Sequence, residues 1–143
     1  MRVALVVARF YEELADRLTA GARETLAQAG VTDLEEFTVP GAFELPMAAR
    51  LAAESGRYAG VVCLGAVIRG ETSHYDYVCG ECARGIQDVQ LQTGVPCSFG
   101  VLTVDNRDQA LARSGGDKRN SGAHAAEAVL ALVKIKEHLA AAG

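Results

Sequence analysis

Apolar residues along the chain follow two alternating patterns. Continuous β-branched runs, such as VALVVA at 3–8, are typical of strands buried on both faces of a parallel sheet. Between these runs, apolar residues recur about once per helical turn. The first such set is Leu14, Leu18, Ala22 and Leu26. Because the two patterns follow one another along the chain, the sequence predicts repeated strand–helix units.

The strand–helix units have recognisable ends. Strands are predicted at 3–8, 35–39, 60–68 and 97–104, and helices at 12–29, 44–55, 75–93, 107–113 and 121–141. Gly30, Gly56 and Gly94 follow the first three long helices, at the position where glycine commonly ends a helix. Right-handed crossovers between such units give a parallel sheet covered by helices on both faces. The predicted fold class is therefore α/β, a three-layer α/β/α sandwich with a four-stranded parallel sheet of the flavodoxin-like type.

Composition and charge narrow the class of protein. The chain has 143 residues, of which 50% are hydrophobic and 22% charged, with a net charge of -4. Acids and bases are mixed, so no basic face for nucleic acid is indicated, and the apolar runs are too short to span a membrane. No signal-peptide pattern is visible. We expect one domain over 1–143, in a cytoplasmic protein that binds neither nucleic acid nor membrane.

The cysteines leave two interpretations open. Cys79 and Cys82 form a Cys-x-x-Cys motif, which can mark a redox or metal site. The motif falls inside a predicted helix, whereas a redox thiol is activated at a helix start. A zinc site that also used His74 would lack a fourth ligand. The favoured alternative is a pair of small residues on a packed helix, and Cys63 and Cys97 are expected to be buried in strands.

Ligands of open parallel sheets bind at the carboxyl ends of the strands, so the loops after the strands are the place to look for chemistry. The second loop reads VPGAFELP, at 39–46. Phe43 could stack on a planar heterocycle and Glu44 could accept hydrogen bonds. The alternative is a core phenylalanine next to a first-turn glutamate that the helix dipole favours.

The loop after the third strand reads RGETSH, at 69–74. Gly70 lets a ligand approach the backbone, and N–H groups near a helix start can hold a phosphate. His74 is placed for proton transfer near neutral pH, although a histidine here could simply cap the helix. Only three lysines occur, at 118, 134 and 136, and none lies in an apolar segment. An enzyme with this sequence would position its substrates and move protons, with no Schiff base to its own lysine.

Six segments in order along the chain resemble the 6,7-dimethyl-8-ribityllumazine synthase family. They are VVARF, VPGAFELP, GAVIRGETSHYDYV, GVPCSFGVLT, DQALARSGG and NSGAHAAEAVLAL. The resemblance implies condensation of 5-amino-6-(D-ribitylamino)uracil with 3,4-dihydroxy-2-butanone 4-phosphate, in the penultimate step of riboflavin biosynthesis. It also implies that no cofactor and no metal is needed.

The resemblance implies a role for each matching residue. His74 would be the catalytic proton-transfer residue. The residues implied for the pyrimidine and its ribityl chain are Phe10, Gly41, Ala42, Phe43, Glu44, Ala66, Val67, Ile68 and Phe99. Those implied for the phosphate are Gly70, Glu71, Thr72 and Arg113. The side chain of Glu71 would point away from the phosphate, because like charges repel. Phe99 and Arg113 would come from the neighbouring subunit of a pentamer.

Three departures from the family pattern bear on assembly and catalysis. Ser121 stands where the family usually has a lysine that assists the phosphate, and Lys118 or Arg119 could reach in instead. His124 stands where an acid is common, and the chain begins almost at the first strand. The expected assembly is a homo-pentamer, with an icosahedral shell of pentamers also open and riboflavin synthase as a candidate partner.

Two other functions compete with the synthase. The first is a non-catalytic flavin- or lumazine-binding protein, or a shell-forming paralogue on the same fold. Ser121 and His124 favour it, whereas the retained His74, Phe43 and Arg113 oppose it. The second is a generic flavodoxin-like binding domain, which would not explain why VPGAFELP and RGETSH occur together.

Overall fold

The computed structural model describes residues 1–115 and 119–141. The strands are β1 (Arg2–Ala8), β2 (Asp33–Val39), β3 (Gly60–Ile68) and β4 (Cys97–Val104). The α-helices are α1 (Glu12–Gln28), α2 (Leu45–Glu54), α3 (His74–Thr93), α4 (Arg107–Ala112) and α5 (Ser121–Ala141), and a 3₁₀ turn at Ala42–Glu44 precedes α2. Every predicted element is present, and the largest difference in a boundary is at β2, which begins at Asp33.

The four strands form one all-parallel sheet in the order β2-β1-β3-β4. Side chains of β1 alternate between the two faces of this sheet, as the geometry of a strand requires. Val3, Leu5 and Val7 pack into a core with α1, α4 and α5, whereas Ala4 and Val6 pack into a second core with α2 and α3. The predicted three-layer α/β/α fold of the flavodoxin-like type is therefore confirmed.

β3 extends further than β1 at the carboxyl edge of the sheet. The β1–β3 register ends at Val7↔Leu64, whereas β3 stays paired with β4 as far as Ile68↔Val104. Within the described sheet, residues 66–68 thus have a strand neighbour on one side only. Because the main-chain N–H and C=O groups of a strand point alternately to either side, some of those of 66–68 face the space beyond the end of β1.

α1 and α5 cross closely on one face of the sheet. A Cβ atom on Gly122, near the start of α5, would overlap the main-chain carbonyl of Leu18 on α1. Asn120 caps α5, since its Oδ1 accepts a hydrogen bond of 3.1 Å from the N–H of Ala123. The crossing therefore fixes where α5 begins relative to α1.

None of the helices in the described ranges combines the length and the apolar character that crossing a bilayer requires.

Candidate active site

A cleft of about 590 Å³, here called the first cleft, opens at the carboxyl ends of β1, β2 and β3. It brings together most of the residues predicted for the site. These are Phe10, Gly41, Ala42, Phe43, Glu44, Ala66, Val67, Ile68, Gly70, Thr72 and His74. The first cleft therefore lies where the parallel-sheet rule placed the chemistry.

Two phenyl rings stand exposed at the first cleft. Phe10 is 73% exposed and Phe43 is 58% exposed, so neither ring is part of the core. The alternative interpretation of Phe43 as a core residue is wrong. Exposed apolar surface has an unfavourable free energy of hydration. A flat, apolar ligand that covered both rings would remove this surface from water on binding.

Arg9 fixes the loop that carries Phe10. Its N–H donates to the carbonyl of Val39 at 3.0 Å, at the end of β2. Its guanidinium donates to Asp16 at 2.7 Å and to Glu36 at 3.2 Å. The hydrogen bond to Asp16, followed by the one to Glu36, raises the pKa of Arg9. The charged Arg9 therefore joins the ends of β1 and β2, and so the two loops that present Phe10 and Phe43.

Glu44 has a structural contact of its own. Its Oε1 accepts a hydrogen bond of 2.9 Å from the N–H of Gly41 and so closes the 3₁₀ turn before α2. Pro46 lies in the first turn of α2, as the sequence predicts. Glu44 therefore lies in the 3₁₀ turn directly before α2 and not in the first turn of α2, and the same side chain also lines the first cleft.

The loop after β3, called the glycine loop and comprising residues 69–73, leads into the long helix α3. His74 is the first residue of α3, and its N–H donates to the Thr72 hydroxyl oxygen at 3.3 Å. A Cβ atom on Gly70 would meet open space, so the fold of this chain does not itself demand glycine there. Glu71 is exposed and is not among the residues that line the first cleft. Because His74 begins α3 and lines the first cleft, the positive end of the helix dipole lies at this cleft.

Arg69 is a residue of this region that the sequence did not single out. Its Nε donates to Asp105 at 3.1 Å, its Nη1 lies 3.6 Å from Asp76, and its guanidinium carbon lies 4.2 Å from the centre of the Tyr75 ring. The hydrogen bond to Asp105 raises the pKa of Arg69. Because two carboxylates already neutralise its charge, Arg69 is better suited to joining the glycine loop to α3 and β4 than to binding an anion.

Three tyrosines and a valine also line the first cleft and were missed from the sequence. They are Tyr11, Tyr75, Tyr77 and Val78. A signal for two of them was present, since Tyr77 and Val78 are three and four residues after His74 and therefore share its face of the helix. Burial raises the pKa of Tyr75, which is partly buried beside the guanidinium of Arg69.

Phe99 and Arg113 are not among the residues of the first cleft. Phe99, which is 40% exposed, belongs to a second cleft of about 520 Å³ between α3, β4 and α5. Arg119, Ser121 and His124 line this second cleft as well, while Lys118 lies outside the described residues. Within one subunit, the residues predicted for the site thus fall into two separate groups.

Arg113 is exposed directly after α4. Its guanidinium Nη1 donates to the carbonyl of Gln109 at 3.1 Å. Its own carbonyl accepts a hydrogen bond of 2.8 Å from the N–H of Ser121, at the start of α5. Arg113 is therefore joined through the main chain to the helix whose first turns line the second cleft.

The geometry at the Cys-x-x-Cys motif supports the packed-helix interpretation. Cys82 is buried in the core between α3 and the sheet, and Cys79 is half-buried. Burial raises the pKa of the Cys82 thiol to about 12, whereas a redox-active thiol has a lowered pKa. In the described ranges, no group of three or more His, Cys, Asp and Glu side chains is arranged to hold a metal ion.

A comparison with known protein families extends these observations to almost the whole chain. Residues 1–137 match the family described as 6,7-dimethyl-8-ribityllumazine synthase. The match covers all four strands and both clefts, and it ends inside α5.

Proposed function

The chain belongs to the 6,7-dimethyl-8-ribityllumazine synthase family, and on this premise we propose that its substrates are 5-amino-6-(D-ribitylamino)uracil and 3,4-dihydroxy-2-butanone 4-phosphate. Membership of the family makes the protein a transferase of riboflavin biosynthesis that acts on small molecules and functions in an oligomeric assembly.

The observation that carries the proposal is the meeting of three kinds of surface in the first cleft. Exposed phenyl rings, the main-chain edge of 66–68 and the start of α3 all border the same space of about 590 Å³. The phenyl rings suit the face of a flat heterocycle, and the main chain of 66–68 suits its polar edge. The start of α3 suits a phosphate. A generic binding domain would have no need for them in combination.

The pyrimidine would lie against the two phenyl rings. Stacking of this kind contributes roughly 0.5–1.5 kcal/mol beyond the buried area. The N–H and C=O groups of 66–68 that extend past β1 would pair with the polar edge of the ring. Glu44, with the main chain of Gly41 and Ala42, would bind the ribityl hydroxyl groups.

The phosphate would lie at the start of α3. Main-chain N–H groups of the glycine loop and the positive end of the helix favour an anion there. The Thr72 hydroxyl oxygen accepts from the N–H of His74, which leaves its own hydrogen free to donate to a phosphate oxygen. Glu71 does not line the cleft, as a phosphate site requires. We propose that Arg113 of a neighbouring subunit completes the charge balance through a bidentate pair.

In the proposed reaction the two substrates react with each other. The primary amine of the pyrimidine attacks the ketone, and loss of water gives an imine between the substrates. Elimination of inorganic phosphate then leaves an enol, which tautomerises to a new carbonyl at the carbon that carried the free hydroxyl group. Attack of the ribityl-bearing nitrogen on this carbonyl closes the ring with loss of a second water. His74 would carry protons between these steps, because its place at the first cleft brings the imidazole to the reacting atoms.

The second group of residues would complete the site from a neighbouring subunit. Phe99 would cover the pyrimidine from the other side, and Arg113 would reach the phosphate. We propose a pentamer, in which each first cleft faces the Phe99 and Arg113 of the next subunit around a ring. Arg119 and His124 line the second cleft and so bring basic groups to the region where Ser121 replaces the usual lysine.

The direct test is to mix the purified protein with both substrates and follow the absorbance of the lumazine product. We expect product to form faster than in the uncatalysed mixture, with one equivalent of inorganic phosphate released for each lumazine. Binding of the pyrimidine without faster product formation would instead identify a non-catalytic paralogue. The same mixture without the butanone phosphate serves as the blank.

A further inference from the structure

Arg17, on α1, makes three hydrogen bonds to the segment that carries Arg113. Its Nε donates to the Ser114 hydroxyl oxygen at 3.0 Å. Its Nη2 donates to the carbonyl of Leu111 at 3.1 Å and to the carbonyl of Gly115 at 2.8 Å. The three acceptors lie on both sides of Arg113 in the sequence, and the pairs are 94 to 98 residues apart along the chain.

These bonds add to two main-chain hydrogen bonds of the same segment, from the N–H of Ser121 to the carbonyl of Arg113 at 2.8 Å and from the N–H of Gly115 to the carbonyl of Arg119 at 2.9 Å. α4 has only six residues, and its last carbonyls need partners from outside the helix. A planar guanidinium presents five N–H donors in a fixed fork and can satisfy several such acceptors together, whereas the ammonium group of a lysine has three donors at one point. Ser114 is only 1% exposed, so the contact with Arg17 is made on the inner side of the segment.

Arg113 itself remains available to a ligand. Its main chain is held by Arg17 on either side and by the N–H of Ser121 at 2.8 Å, whereas its side chain is exposed. All three acceptors of Arg17 are neutral oxygens, one hydroxyl and two main-chain carbonyls. A fixed backbone and an exposed guanidinium together favour binding of an anion.

We propose that Arg17 is a positioning residue that holds Arg113 in place for the phosphate of the substrate. This inference rests on the proposed function, in which Arg113 meets the phosphate bound by the neighbouring subunit. Arg17 acts through the main chain of 111–115 and does not itself contact the substrate.

Steady-state kinetics of Arg17→Met separate this role from a general loss of structure. We expect KM for the butanone phosphate to rise roughly tenfold, as is typical when hydrogen bonds that orient a charged group are lost, while KM for the pyrimidine changes less than about twofold. Arg17→Lys should restore part of the loss. Arg23→Met on the same helix, which removes only an ion pair with Glu36, is the matched control. Equal rises in both KM values would overturn the proposal.

A double-mutant cycle with Arg113→Ala tests whether Arg17 acts through Arg113. Arg113→Ala alone should impair use of the butanone phosphate far more than binding of the pyrimidine. Adding Arg17→Met to Arg113→Ala should then change KM no further, because the residue being positioned is gone. A further rise equal to that seen in the parent protein would contradict the inference. Ser114→Ala, which removes only one of the three acceptors, should give a smaller rise of the same kind.

Titration with inorganic phosphate, followed by ³¹P NMR, keeps the inference separate from the proposed reaction. Arg17→Met and Arg113→Ala should weaken phosphate binding to a similar extent, and Arg23→Met should not. If this pattern holds in a protein that makes no lumazine, the proposed reaction fails and the inference stands. If Arg17→Met leaves phosphate binding unchanged, the inference fails even when the protein is an active synthase.

Discussion

At the scale of single residues, His74 owes its place to the start of α3. The N–H of its main chain is held by Thr72, and its exposed side chain lies at the first cleft. His74 fills the first position of α3, as the alternative interpretation expects, and its side chain also borders the first cleft. The imidazole is thus free to meet a substrate.

His74→Ala should slow turnover by about 10²-fold or less. A positioned general acid–base contributes roughly 10²–10⁴-fold, and attack of an amine on a ketone is intrinsically facile, which places the expected loss at the low end. The measurement is kcat from lumazine absorbance, with size-exclusion chromatography to show that the assembly is intact. His138→Ala, exposed on the last turn of α5, is the control. A rate equal to that of the parent protein would remove His74 from the mechanism.

Much of the first cleft could be predicted from residue types and their loops. Phe43, Gly70 and His74 stand out because they lie between the carboxyl end of a predicted strand and the helix that follows it. Tyr75 could not be recognised in this way, because its role depends on the guanidinium of Arg69 that lies against its ring. Nor does any local pattern indicate that Arg17 supports Arg113, since the contact joins segments more than ninety residues apart.

At the scale of elements, the crossing of α1 and α5 depends on one missing side chain. Gly122 allows the main chain of α5 to touch that of α1 at Leu18. Main chain cannot move aside as a flexible side chain can, so this contact sets the distance between the two helices. The same crossing brings Asn120 to its capping position at the start of α5.

Gly122→Ala should therefore destabilise the protein, although alanine is the better helix former. Overpacking of this kind costs roughly 1–3 kcal/mol. The matched control is Gly80→Ala on α3, where a Cβ atom meets open space, and this variant should be unchanged or more stable by roughly 0.5–1 kcal/mol. Urea unfolding at one fixed protein concentration measures both variants. A midpoint for Gly122→Ala at or above that of Gly80→Ala would show that the crossing adapts.

Most elements were predictable because β1 and β3 are continuous apolar runs and because a glycine stands one or two residues after α1, α2 and α3. β2 was the least well bounded, since it lies at the edge of the sheet and its sequence DLEEFTV has mostly polar residues. The order β2-β1-β3-β4 could not be predicted from the pattern alone. Handedness restricts each crossover, but it does not say on which side of β1 the next strand is added.

At the scale of the whole molecule, the proposed site is divided between two surfaces of one chain. The first cleft holds His74 and the two phenyl rings, whereas Phe99 lines the second cleft and Arg113 lies outside the first. If neighbouring subunits bring these surfaces together, each active site needs one half from each of two chains.

Co-expression of two impaired variants tests this division, with each variant alone as the baseline. His74→Ala damages only the first-cleft half and Arg113→Ala only the other half, so a mixed ring regains intact sites. A site is intact only when its first-cleft half comes from an Arg113→Ala subunit and its other half from a His74→Ala subunit. This is one of four possible neighbour pairs, so random mixing should restore roughly a quarter of the sites. The measurement is lumazine formation by the co-purified assembly. Co-expression of His74→Ala with Phe43→Ala, which both damage the first-cleft half, should restore nothing. Absence of recovery in the first pair would show that the site lies within one subunit.

The extension of β3 past β1 has a consequence for how this protein tolerates change. If the pyrimidine edge is recognised by the main chain of 66–68, no side chain there carries the recognition, and substitutions of similar size should leave the choice of substrate intact. A deletion of one residue within β3 would have a larger effect. It would shift the register by one residue and so exchange the positions of the main-chain N–H and C=O groups along that edge. Substrate preference at this edge is therefore robust to point mutation and fragile to a shift in register.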